Sequence, residues 1–169
     1  VGETGGKDFI VAHKSATARE LATAITRGAF EFQGQKCSAA SRAYIPDNLW
    51  PDVKKYLLDD LKSVKMGGPE DFSNFFNAVI DEKSFAKITR YIDDAKQSPM
   101  VEVIAGGNYD GSKGYFVEPT VLLSKDPMYV TMCEEIFGPV LVAMTFRTPD
   151  EAVALANNTR FGLAASIWW

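Results

Sequence analysis

Short apolar runs of strand length, separated by stretches with helical spacing, constrain the fold of this chain more than any other feature. FIVAH from Phe9, RAYI from Arg42, VEVIAGG from Val101 and VLVAMTF from Val140 are rich in β-branched and aromatic residues. Between the first two, TARELATAITRGAFEF carries Leu21, Ile25, Ala29 and Phe32 at helical spacing, with Thr17 and Glu20 as a capping box. Residues 48–66 place Leu49, Val53, Tyr56, Leu57, Leu61 and Val64 on one face, with Asp47 or Asn48 as cap and Gly67-Gly68-Pro69 as stop. A third helix over residues 81–96 presents Phe85, Ile88, Tyr91 and Ile92. Thr148-Pro149-Asp150-Glu151 supplies a cap, a first-turn proline and a capping glutamate for EAVALANN, and residues 163–168 read as another strand. YFVEPTVLL is strand-like but interrupted by Pro119, which belongs at a sheet edge or a break. Strands alternating with helices predict an α/β domain built on an open, mostly parallel sheet flanked by helices.

The 169 residues, 46% hydrophobic and 24% charged, suffice for one sizeable core. The net charge of −4 is spread along the chain and no Lys/Arg-rich run follows a phosphate backbone, so nucleic acid is not expected as a partner. No apolar stretch approaches the roughly 18–20 residues that span a bilayer, and no membrane association is expected. Cys37 and Cys133 lie 96 positions apart without CxxC spacing, which predicts reduced thiols and no metal site. The chain opens without methionine on VGETGGKDF and stops in the apolar run SIWW, so an incomplete piece of something longer is expected.

Three stretches carry candidate chemistry. In GQKCSAAS, Cys37 sits between Lys36 and small residues at a helix-to-strand bend, where a cation and backbone N–H groups promote thiolate. A small cysteine packed at a helix end is the alternative. Glu3 in GETGGK is either a base or a solvated terminal carboxylate, and Glu134-Glu135 in CEEIFGPV either binds sugar hydroxyls or lies on a solvated loop. His13, the one histidine, follows the first strand and reads as a surface or hydrogen-bonded residue, and Cys133 reads as structural. Gly106-Gly107 lacks the G-x-G-x-x-G context of a nucleotide-binding loop.

GETGGK, then GQKCSA with 34 positions from Glu3 to Cys37, then EEIFGPV, resemble the aldehyde dehydrogenase superfamily in order and spacing. Within it, GETGGKDF, AFEFQGQKCSA, PEDFSNFFNAVIDEKSFAKI and GYFVEPTV resemble the Δ1-pyrroline-5-carboxylate dehydrogenases, over essentially the whole chain. The resemblance implies that residues 1–169 are a catalytic domain of that family, without its Rossmann-like cofactor domain and its oligomerisation segment. It implies NAD-dependent oxidation of the small-molecule substrate glutamate γ-semialdehyde to glutamate, in proline catabolism. Cys37 matches the catalytic nucleophile, and Glu3 the glutamate that activates water on the thioester. Glu135 matches the residue that hydrogen-bonds the nicotinamide ribose, Phe137 the one near the nicotinamide ring, and Ser38 a position that binds the substrate's α-carboxylate. Lys36 is a candidate for electrostatic tuning of Cys37. The resemblance also implies a full-length homodimer or higher homo-oligomer, in the mitochondrial matrix of a eukaryote or the cytoplasm of a bacterium. Two alternatives stay open: another semialdehyde such as succinate semialdehyde, and a non-catalytic domain that keeps the fold.

Overall fold

The computed structural model describes residue 1 and residues 4–169. In chain order, β1 (Asp8–Ala12) leads through α1 (Ala18–Phe30) and a 3-10 turn (Glu31–Gly34) to β2 (Ala40–Pro46) and α2 (Trp50–Ser63). After an irregular stretch come α3 (Glu82–Gln97), β3 (Val101–Ala105), β4 (Tyr109–Asp110), β5 (Phe116–Val117) and β6 (Thr120–Ser124). The chain continues through α4 (Val130–Cys133), β7 (Val140–Phe146), α5 (Pro149–Asn157) and β8 (Ala165–Trp168). Six strands form one sheet in the order β3-β6-β7-β2-β1-β8, and β4 with β5 form a small hairpin. Among the described residues only the β3–β6 pair of the large sheet is antiparallel, so the open, mostly parallel sheet expected from the sequence is present.

Helices cover both faces, and alternate residues of each central strand serve opposite faces. Ala43, Ile45, Val121 and Leu141 join Leu21, Ile25, Val53 and Leu57 in the layer under α1 and α2. Tyr44, Leu122, Val142 and Met144 join Ile88, Ile92, Ala152 and Ala156 in the layer under α3 and α5. Both layers are predominantly apolar, as burial of near-continuous apolar strands on two faces requires.

Several boundaries differ from the sequence expectation, each for a tertiary reason. Helix α1 stops at Phe30, and Phe32, expected on its buried face, is 66% exposed because the backbone turns left-handed there. Thr17 occupies the N-cap of α1 but its side chain makes no capping hydrogen bond. Neither Asp47 nor Asn48 caps α2. The Asp47 N–H donates to the Phe146 carbonyl, the Asn48 amide reaches the Lys14 carbonyl, and the helix starts later, behind Leu49. It also ends at Ser63, short of the Gly-Gly-Pro stop. Asp81 caps α3 by accepting from the Ser84 N–H at 2.8 Å, and Thr148 caps α5 by accepting from the Glu151 N–H at 3.2 Å. Pro119 falls at a break between β5 and β6, which spares the interior strand β6 a missing donor.

Leu141, fully buried in β7 at the centre of the sheet, gives a direct test of the packing. Leu141→Ala is expected to lower unfolding free energy in urea by about 2–5 kcal/mol. Val153→Ala, on the exposed side of α5, is expected to stay within about 0.5 kcal/mol.

Candidate active site

The bend that presents Cys37 is built from three consecutive left-handed residues, Phe32 (φ 54°), Gln33 (φ 57°) and Gly34 (φ 64°). Only glycine fits at the third, where a Cβ would lie 2.8 Å from the Ala29 carbonyl oxygen and would overlap that of Gly138. Holding the two preceding residues there costs roughly 1 kcal/mol or more each. The Gln35 side chain secures the bend by accepting from the Ile80 N–H at 2.8 Å. A turn over residues 36–39, closed by Ala39 N–H on the Lys36 carbonyl at 3.1 Å, then enters β2 with Cys37 and Ser38 exposed.

The GGK, QKCS and EEIF stretches meet at this turn. Gly6 lies so close to Cys37 that a Cβ would overlap the Cys37 carbonyl oxygen. The Gly6 N–H donates to Glu135 Oε1 at 2.8 Å. Cys37, Glu135 and Phe137 line one crevice, and Phe137 is itself left-handed (φ 59°) with its side chain 40% exposed. Ser38 borders a separate cavity of about 190 Å³ with Asp8, Ala164, Ser166 and Trp168. Lys36 is exposed and lies 3.5 Å from Glu31, which also pairs with Arg27 at 2.5 Å, so its charge is shared with a carboxylate. Glu3 lies outside the described residues.

The other candidates lie apart from the thiol. His13 follows the carboxyl end of β1, whereas Cys37 precedes the amino end of the adjacent parallel strand β2, so the length of the sheet separates them. Its Nδ1 pairs with Ser15 Oγ at 2.7 Å on the surface. Cys133 is half-buried, with Sγ 3.9 Å from the Pro127 carbonyl, and both thiols are free. A larger cavity, about 660 Å³, sits at the carboxyl ends of the strands beside His13, Phe146 and Pro149, remote from Cys37. Among the described residues no cluster of three or more His, Cys, Asp or Glu is placed to hold a metal ion.

Four further residues build this site that the sequence motifs do not mark. Arg42 is 1% exposed and donates from Nε (3.0 Å) and Nη2 (2.5 Å) to the Lys7 carbonyl. Lys87 Nζ donates to the Glu135 carbonyl at 2.7 Å, and the Tyr91 hydroxyl donates to the Glu134 carboxylate. Lys7 is 1% exposed, and its Nζ has no hydrogen-bond partner among the described residues. Burial pulls the Lys7 ammonium down to about 7; Arg42 and Lys87 push the same way, while Cys133 and Glu135 oppose them. A strand-phase signal existed for Arg42 alone, since it alternates in register with the inward-facing Tyr44.

The aldehyde dehydrogenase family pattern matches residues 1–168. The chain belongs to the aldehyde dehydrogenase family. It is 51% identical over 171 residues to the mitochondrial Δ1-pyrroline-5-carboxylate dehydrogenase of Dictyostelium discoideum, covering 99% of this chain and 31% of that protein. The human mitochondrial enzyme of the same name is 46% identical over 173 residues, covering 99% of this chain and 30% of that protein. Among solved structures, the NAD-bound Δ1-pyrroline-5-carboxylate dehydrogenase of Mycobacterium tuberculosis superposes with a TM-score of 0.90 at 43% identity. That match covers 99% of this chain and 31% of the other. The chain therefore spans about a third of the length of the relatives it matches.

The buried Lys7 predicts an unusual pH dependence of stability. From about pH 7 up to its ordinary 10.5, the folded state holds fewer protons than the unfolded one. Stability therefore rises with pH across that window, and the burial penalty is present in full below it. The displacement corresponds to roughly 5 kcal/mol. Urea midpoints measured between pH 6.5 and pH 9 should rise with pH for the natural chain, and the slope should be lost in Lys7→Met.

Proposed function

We propose that this chain supplies the thiol and the nicotinamide-side residues of an NAD-dependent Δ1-pyrroline-5-carboxylate dehydrogenase, which oxidises glutamate γ-semialdehyde to glutamate in proline catabolism. The observation that best supports this reading is the meeting of an exposed Cys37 with the Gly6 backbone and the Glu135 carboxylate in one crevice. Those residues suit the cofactor. Glu135 is a half-buried acceptor for ribose hydroxyl donors, with one oxygen already oriented by Gly6, and Phe137 offers an apolar ring beside it. Bound there, NAD supplies the hydride acceptor.

The chain's own residues perform the rest. Cys37 Sγ, as thiolate, adds to the aldehyde carbon, and the Cys37 backbone N–H donates to the oxygen that becomes anionic. Re-forming the carbonyl expels hydride from that carbon and leaves a thioester on Sγ. Glu3 takes a proton from water, which attacks the thioester carbon and releases glutamate and the thiolate. One aldehyde, one water and one oxidised cofactor thus give one carboxylate, one reduced cofactor and two protons. The Ser38 hydroxyl donates to the substrate's α-carboxylate from the cavity it borders, and Lys36 adds a positive charge near Cys37. Eukaryotic relatives are named mitochondrial, which supports the matrix as the compartment if the source is a eukaryote.

Relatives about three times longer suggest that much of the cofactor site and the oligomer interface lie outside these 169 residues. Because Cys37 is exposed and Cys133 half-buried, access alone makes Cys37 the faster thiol to alkylate. Turnover is the discriminating test. NADH formation from glutamate semialdehyde is expected to be strong for the full-length parent and weak for the isolated chain. Cys37→Ala should lower it in the parent by roughly a thousandfold or more. Glu3→Gln should preserve a first burst of NADH and slow the later turnovers, which wait on thioester hydrolysis. Cysteine-independent NADH, or none from the parent, would overturn the proposal, and preference for succinate semialdehyde would move it to another substrate.

A further inference from the structure

Two side chains of α3 reach across to the segment that carries Glu135. Lys87 and Tyr91 are one helical turn apart and so share a face. Lys87 Nζ donates to the Glu135 carbonyl at 2.7 Å, a charge-assisted bond. The Tyr91 hydroxyl, 3% exposed as a residue, donates to the Glu134 carboxylate. Burial, and then the Glu134 carboxylate, push the Tyr91 phenol up, which keeps its proton available for that bond. The helix beneath them is rigidly seated, with Ile88, Ile92 and Ala95 fully buried and Asp81 capping its start.

The segment needs such a grip. Phe137 is held left-handed (φ 59°), a conformation that persists in a bulky residue only when its surroundings impose it. On its far side, the Glu135 carboxylate is held by the Gly6 N–H at 2.8 Å. The backbone of residue 135 is thus tied to α3 and its side chain to the Gly6 backbone beside Cys37.

We infer that Lys87 and Tyr91 are positioning residues: they hold the 134–137 segment from α3 and thereby set the Glu135 carboxylate against Gly6 and beside Cys37. The contribution to cofactor binding rests on the function proposed above for Glu135. The positioning itself does not, and the two are measured separately.

The test compares Lys87→Met, Lys87→Arg and Tyr91→Phe with the natural sequence in the full-length parent. Amide hydrogen exchange at Gly6 reports the bond to Glu135 directly, and the buried β7 amides of Leu141 and Val142 report general stability. Lys87→Met is expected to speed Gly6 exchange on the order of tenfold while the β7 amides hold their rates, with Tyr91→Phe in the same direction and Lys87→Arg restoring protection. The KM for NAD should rise by a similar factor in Lys87→Met with kcat less affected. Unchanged Gly6 exchange, or acceleration shared equally by β7, would overturn the inference. An active parent whose KM for NAD is unmoved by Lys87→Met would overturn the contribution to cofactor binding. Selective loss of Gly6 protection in a parent that never reduces NAD would uphold the positioning and defeat the proposed function instead.

Discussion

A buried guanidinium ties the amino-terminal segment to the middle of the sheet, and the geometry around Cys37 depends on it. Two Arg42 nitrogens hold the Lys7 carbonyl, and the third donates to the Tyr44 hydroxyl at 3.0 Å, which passes a bond on to the Leu155 carbonyl at 3.1 Å. Its faces lie over the rings of Phe9 and Tyr44, 5.3 and 5.6 Å from their centroids. Burying a cation is costly unless its donors are satisfied and its field is absorbed. Here neutral oxygens and aromatic faces meet both needs, and one side chain joins the Lys7 backbone, β1, β2 and α5.

With Lys7 pinned, Gly6 has a single place to lie, against the Cys37 carbonyl and within reach of Glu135. The adjoining Asp8 continues the link, accepting at Oδ1 from the Ala164 N–H at 2.9 Å at the approach to β8. Burial raises the Asp8 carboxyl, while that N–H and Arg42 draw it down. A short stretch of backbone is thereby fixed between the thiol turn on one side and β8 on the other. The three segments meet through backbone groups as much as side chains, which is why glycine is required where they touch.

Two different surfaces adjoin the turn that carries the thiol. Glu135 and Phe137 approach from the layer under α3, while Ser38 faces the cavity beside β1 and β8. In the proposed reaction, a hydride donor and its acceptor must meet at the sulfur from different directions. A thiol on a turn at the amino end of β2, in one crevice while the adjoining Ser38 borders another, offers that approach. The strained bend at residues 32–34 exists to place it there, since a regular exit from α1 would bury Phe32 and carry the chain elsewhere.

The sequence alone determined the α/β class, the parallel sheet, the faces of α1, α2 and α3, and the cap of α5. These arise from periodicity and from side chains that bond within a few residues of themselves. It also singled out Cys37, Glu135, Phe137 and Ser38, through motifs whose order and spacing outlast any one contact. Only the tertiary structure decided that Phe32 points outward, that Arg42 and Lys7 are buried, and that Lys87 and Tyr91 grip the 134–137 segment. Left-handed backbone at Phe32, Gln33 and Phe137 runs against local preference, and a buried cation runs against composition. Both are stable only because residues distant in sequence supply the packing and the hydrogen bonds, and no local pattern records which distant residues those are.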